Sequence, residues 1–207
     1  MFGENDADAG TYAQYWCAAV GDTHLRDLAY IVAGYGIGSG LILDGEVVHG
    51  VIGMAGEIGH ASIQFEGPRC GCGNRGCLEM YCSLLALQKR VTACISKGED
   101  TCLGPGFTLD ELERAVRGQD PVALREYVRV CEYLAVGIVN LINQLNPQIV
   151  IIGDRLAEMA PDLMLETVRA KVHDTVRPLV WEALHSGLNR LAHNPNLVGV
   201  GGIALPL

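Results

Sequence analysis

The 207-residue chain is expected to fold as an α/β layered protein, and three observations predict this. Short apolar runs of strand length stand at Leu28 to Ala33 and at Gln148 to Ile152. Long stretches with apolar residues at helical spacing fill most of the second half, notably from Asp120 to Leu145. An Asp44-Gly45 pair between apolar segments marks a two-residue hairpin in the first half. Helices alternating with short buried strands build a layered α/β fold.

Taken in order, Ala7 to Val20 reads as a helix carrying Tyr12, Tyr15 and Trp16. Leu28 to Ala33 is a first strand, Leu41 to Leu43 a second and Glu46 to Val48 a third. The glycine-rich segment Gly34 to Gly40 lies between the first two, and Gly50 to Gly59 is a loop. Ser83 opens a helix to about Ile95 as its N-cap, and Lys97 to Phe107 is a loop. Thr108-Leu109-Asp110-Glu111 is a capping box that starts a short helix. Asp120-Pro121, with Asp at the N-cap and Pro at the first helical position, opens a long helix that Asn146-Pro147 stops. Gln148 to Ile152 is apolar on both faces, as parallel-sheet strands are. Leu156 to about Val176 reads as one helix, a strand is expected near the start of Val180 to Leu191, and Gly199 to Gly202 is expected to lead into a helix.

Composition narrows the function classes. With 49% apolar and 19% charged residues, a large core is expected and disorder is not. A net charge of −9 argues against this chain itself gripping nucleic acid, which needs a basic face. Residues Met1 to Gly10 are polar and acidic, unlike a signal peptide, and no apolar run is long enough to span a bilayer. A cytoplasmic protein is therefore expected. Cysteines 17, 82, 94, 102 and 131 fall at no ligand spacing and are expected to be reduced, mostly buried thiols.

The chemistry concentrates between Glu57 and Glu79. His60, Cys70, Cys72 and Cys77 stand at metal-ligand spacing, with an acidic residue just outside each end. One imidazole and three thiolates suit tetrahedral Zn²⁺, and four protein ligands make a closed, structural site. Two other readings stand beside this one: a tight glycine loop with inert thiols, or a disulfide from Cys77 to Cys70 or Cys72. A metal knot would hold Glu57 and Glu79 in fixed positions, where carboxylates accept hydrogen bonds from a polyhydroxylated ligand. The glycine segment presents backbone N–H groups of the kind that bind phosphate, but no Lys-Ser/Thr follows as a P-loop requires.

These residues resemble the ROK family of sugar kinases and sugar-responsive repressors over essentially the whole chain. The resemblance rests on the glycine segment Gly34 to Gly40, on Ala55-Gly56-Glu57-Ile58-Gly59-His60, and on Cys70-Gly71-Cys72-Gly73-Asn74-Arg75-Gly76-Cys77-Leu78-Glu79. It implies an actin-like ATPase (ribonuclease H-like) fold of two α/β lobes with a sugar cleft between them. Residues 1–27 would then be the end of the N-terminal lobe, and 28–207 the C-terminal lobe with a zinc loop at 60–77. It implies that His60, Cys70, Cys72 and Cys77 ligate structural Zn²⁺, and that Asn5, Asp6, Glu57, His60 and Glu79 contact a sugar or sugar phosphate. In a kinase member Asp6 would be the general base, and Gly34, Gly36, Gly38 and Gly40 would help hold ATP and Mg²⁺. Family members commonly pair, so the resemblance implies a homodimer or higher homo-oligomer.

The departures from the family pattern are equally informative. The first phosphate loop, Asp-x-Gly-x-Thr, is absent, and so is the winged-helix DNA-binding domain of repressor members, so the chain is expected to be the C-terminal part of a longer protein. Tyr35 stands where kinases usually carry Thr, and Gly153-Asp154 where they usually carry Gly-Gly. A carboxylate there would repel phosphate unless the loop turned it away. The expectation is therefore the sugar-binding effector region of a repressor of N-acetylglucosamine or xylose type, reaching DNA only through a domain missing from this chain. The alternative is an ATP-dependent kinase of glucokinase or N-acetylhexosamine kinase type.

Overall fold

The computed structural model describes Thr11, residues 25–191 and residues 202–204, with side chains at Thr11 and 25–184. Asn5, Asp6, Cys17 and, apart from Thr11, the helix expected at 7–20 lie outside the described residues.

A five-stranded mixed sheet forms the centre, in the order β3-β2-β1-β4-β5. Strand β1 is Leu28–Ala33, β2 Ile37–Leu43, β3 Glu46–Val47, β4 Ile149–Gly153 and β5 Gly202–Ala204. The hairpin between β2 and β3 turns at Asp44 (φ 57°) and Gly45 (φ 81°), both positive as a primed turn requires. β2 begins at Ile37, earlier than the expected Leu41. Gly38 and Gly40 pair with Val32 and Tyr30 of β1, so only Gly34 to Gly36 remain as a turn. Cross-strand pairing overrides the weak strand preference of glycine there. β1 runs antiparallel to β2 and parallel to β4, with Val32 opposite Gly153. Every residue of β4 is buried, as expected of a strand inside a sheet covered on both faces.

The helices begin where local chemistry puts them. The short α1, Glu79–Cys82, leads through Ser83 into α2, Leu84–Ser96, and the Ser83 hydroxyl accepts from Ala86 N. Thr108 and Glu111 form the reciprocal capping box of α3, Leu109–Arg117. Asp120 caps α4, Pro121–Leu145, which ends at Asn146 in the left-handed conformation. Then follow α5, Arg155–Met159, α6, Pro161–Thr175, and α7, Pro178–Leu191. The packing of α4 against α6 is the most extensive between helices. Between helices and sheet lies one core that includes Leu28, Ile31, Tyr127, Leu134, Ile138 and Ile149, all fully buried.

Three expectations are corrected. Residues 156–176 form two helices, because Pro161 lacks an N–H and starts a new one. The strand expected near Val180 is part of α7, with Pro178 in its first turn. Residues 202–204 are a strand and not a helix start: Ile203 pairs antiparallel with Ile152 and completes the sheet edge. Most of the scattered cysteines are buried as expected: Cys82, Cys94 and Cys131 are, while Cys102 is exposed on the loop before α3. Among the described residues no helix is long and apolar enough to cross a membrane.

Candidate functional site

The site grows from the turn that follows β3. Ser39 of β2 anchors it, since its backbone N–H and its hydroxyl both donate to the Gly56 carbonyl, at 3.1 and 2.6 Å. The turn lies flat on β2. A Cβ at Gly56 would overlap the Ser39 carbonyl, and one at Gly59 would overlap that of Ile37. Glycine at both positions is thus a packing requirement, and it puts Glu57 and a single 3-10 turn, Ile58–His60, against the sheet.

The His-Cys stretch closes into a compact knot. Cys70 N donates to Asn74 O at 2.9 Å and Gly73 N to Cys70 O at 3.1 Å. Isolated bridges join Ser62 to Cys77 and Arg69 to Arg75. The Tyr81 hydroxyl donates to Gln64 Oε1 at 2.9 Å, tying the loop to α1. The ligand atoms of His60, Cys70, Cys72 and Cys77 all lie within 4.8 Å of one another. His60 Nδ1 is 3.6 Å from Cys70 Sγ, and Cys72 Sγ is 3.7 Å from Cys77 Sγ. A tetrahedral zinc ion with ordinary bond lengths sets N–S and S–S edges of roughly 3.6 and 3.8 Å. A disulfide needs sulfurs roughly 2.0 Å apart, so the Cys72–Cys77 bridge weighed above is not formed. Burial, with help from the Cys72 and Cys70 sulfurs, pushes the Cys77 thiol up to about 12, whereas a backbone N–H donated from Asn74 leads the lowering of Cys72. Three crowded thiols beside an imidazole ionise together only with a positive charge among them. The residues therefore fit a structural metal ion of the zinc class.

Three polar side chains stand around this knot. His60 directs Nδ1 towards the cysteines, and its Nε2 lies 3.9 Å from Glu57 Oε2. Glu79 is the first residue of α1, directly after the buried Cys77-Leu78 pair. Its Oε2 accepts from Ile37 N at 3.3 Å. Leu78 fills a notch that Gly137 of α4 leaves open. The knot thus holds Glu57 beside His60, and the sheet holds Glu79 through Ile37; Glu57 also borders a cavity of about 350 Å³ lined by Ser39, Asn140 and Gln144. Fixed carboxylates beside an imidazole whose tautomer is set by its other nitrogen form a surface for hydroxyl groups.

Of the four expected nucleotide glycines, Gly34 and Gly36 shape the turn after β1, while Gly38 and Gly40 lie within β2. The Tyr35 side chain at the tip is exposed. Asp154 follows β4, and its carboxylate rests where a Cβ of Gly34 would be. Sequence reasoning flagged Asp154 by residue type but did not place it on Gly34. That contact depends on the parallel pairing of β1 with β4, which no local pattern encodes.

The mixed sheet with helices packed on it and a Cys-His knot beside a glycine turn defines an α/β protein with a candidate metal centre. The chain belongs to the ROK family, whose model matches residues 1–204. It is 35% identical over 175 residues to a putative xylose repressor of Caldicellulosiruptor sp. (strain Rt8B.4), covering 82% of this chain and 43% of that protein. Among solved structures it is similar to a ROK family transcriptional regulator, a homolog of the E. coli MLC protein, with a TM-score of 0.74 and 26% identity, over 92% of this chain and 53% of that one. It is also similar to a ROK family glucokinase from Streptomyces griseus solved with glucose and AMPPNP, with a TM-score of 0.69 and 27% identity, over 84% and 57%. Both repressors and glucokinases are thus homologues, and the chain spans about half the length of the xylose repressors that it matches.

Proposed function

We propose that this chain is the sugar-binding effector region of a ROK transcriptional regulator of carbohydrate metabolism. The observation that supports the reading is that Glu57 lies beside His60 of the Cys-His knot, and that Glu79, two residues after Cys77, is held on the sheet by Ile37 N. Two carboxylates accept from sugar hydroxyls, and the imidazole Nε2 can donate to one. A structural Zn²⁺ held by His60, Cys70, Cys72 and Cys77 keeps these groups in register. Asn5 and Asp6 complete the sugar contacts in this reading.

The region is then one lobe of an actin-like ATPase fold, residues 28–207, with 1–27 closing the other lobe. Sugar binding shifts the population of lobe arrangements in a cytoplasmic homodimer and so repositions a DNA-binding domain outside this chain. Similarity to xylose repressors supports the regulator. The second reading is a sugar kinase, supported by the glucokinase relatives. There Asp6 would deprotonate the accepting hydroxyl, and ATP with Mg²⁺ would sit on the glycine turn. In the intact protein, Asp6→Asn abolishes sugar phosphorylation under the kinase reading and leaves the DNA response in place under the regulator reading.

The direct test is a thermal melt of the chain with xylose, glucose, N-acetylglucosamine and N-acetylmannosamine, repeated with Glu57→Gln and Glu79→Gln. Stabilisation of the wild type by one sugar, lost in both variants, is expected. No stabilisation by any sugar, or stabilisation undiminished in both variants, overturns the sugar site.

A further inference from the structure

The parallel register of β1 and β4 ends both strands at the same edge, Val32 opposite Gly153. The carboxyl ends of parallel strands are where α/β sheets receive ligands. Two segments meet there, the turn Gly34 to Gly36 and the residue Asp154. The turn is tight, with Gly34 N donating to Gly36 O at 3.0 Å. Asp154 has φ 75° and ψ 175°, a backbone region that only glycine adopts freely. Its Oδ1 accepts from Arg155 N at 2.6 Å, and its Oδ2 lies against the Cα of Gly34.

A second carboxylate covers the other side of the same turn. A Cβ at Gly36 would come within 2.7 Å of Glu79 Oε2, the atom that already takes the Ile37 N–H. The neighbouring cation does not offset this charge, because the Arg155 guanidinium is bonded to Asp110 and reaches Glu113 at 3.9 Å. A phosphate arriving at the turn meets the backbone N–H groups of Gly34 and Ile37 already occupied and two carboxylates pressed on its glycines. Like charges that close disfavour one another.

We propose that Asp154 is a specificity-determining residue that closes the glycine turn to phosphate, so that the chain takes its sugar without a nucleotide. This deepens the regulator reading and rests on it. A backbone shaped for glycine that carries an aspartate is the mark of a phosphate cradle converted into a guarded one. Glu79 has a double placement in this arrangement, joining the sugar face to the turn through Ile37.

The experiment titrates the chain with Mg·AMPPNP, and separately with inorganic phosphate, by calorimetry. It compares the wild type with Asp154→Gly, and with Asp154→Asn as a variant that keeps the cap on Arg155. The expected result is no measurable heat for the wild type and a gain of at least about tenfold in affinity for one or both variants. Wild type and both variants behaving alike, whether all bind or none does, overturns the assignment. A sugar titration of the wild type runs alongside. A wild type that ignores sugar sinks the sugar-site reading, whereas a change in the nucleotide arm alone concerns Asp154.

Discussion

Replacing Asp120 by alanine removes a single carboxylate that joins two parts of the molecule. Asp120 is 8% exposed. It accepts from Val122 N at 3.1 Å and Ala123 N at 2.9 Å at the start of α4, and from Cys102 N at 2.7 Å and Thr101 Oγ1 at 2.9 Å on the preceding loop. Losing the cap costs about 0.5–2 kcal/mol. Losing two charge-assisted bonds on the loop adds roughly 1.5–3 kcal/mol each before water replaces part of them. The net expectation is about 3–5 kcal/mol, a fall in Tm of the order of 10 °C for a chain of this size. The pH dependence gives a second handle. Burial pushes the Asp120 carboxyl up, but the N–H groups of Ala123 and Cys102 and the Thr101 hydroxyl outweigh it, so its folded pKa lies below the ordinary value. A lowered folded value means that the contribution is fully present above the unfolded pKa, about 3.9, and is lost as pH falls through the folded one. Thermal melts of wild type and Asp120→Ala at pH 7 and in steps below pH 4 read both effects. A gap under about 1 kcal/mol at neutral pH, or one that widens with acid, refutes the reasoning.

Two further outcomes follow from the packing and the knot. Cys72→Ser is expected to carry less than one equivalent of zinc and to bind sugar at least about tenfold more weakly, read by elemental analysis and calorimetry; a metal-free variant with wild-type sugar affinity contradicts this. Gly137→Ala places a methyl against Leu78, directly between Cys77 and Glu79. The overlap costs about 1–3 kcal/mol and exceeds the gain of about 1 kcal/mol in helix propensity; urea unfolding with an unchanged or raised midpoint speaks against it.

The parts of the fold that were legible in the sequence are those whose cause is local. Ser83, the Thr108–Glu111 box and Asp120-Pro121 each announce a helix start by their own hydrogen-bonding groups, and all three caps form. The Asp44-Gly45 turn is equally self-contained. The misreadings share a non-local cause. Residues 202–204 become a strand because Ile151 to Gly153 offer an open edge far away in sequence. β2 extends back to Ile37 through glycines because β1 lies alongside. Residues near Val180 are rich in strand-forming types, yet they form α7 while the sheet edge goes to β5. At the site, ligand spacing sufficed to group His60 with Cys70, Cys72 and Cys77. The contact of Glu79 with Ile37, and that of Asp154 with Gly34, needed the assembled sheet.

The central claim joins metal, carboxylates and sugar, and one calorimetric comparison addresses all three. Zinc-loaded chain is titrated with xylose and with glucose, then stripped with a chelator and titrated again. The account predicts saturable binding of at least one of these sugars by the loaded protein and its loss on stripping, with recovery when zinc is returned. Equal sugar binding before and after complete metal removal would contradict it, as would a zinc-loaded protein that binds neither sugar.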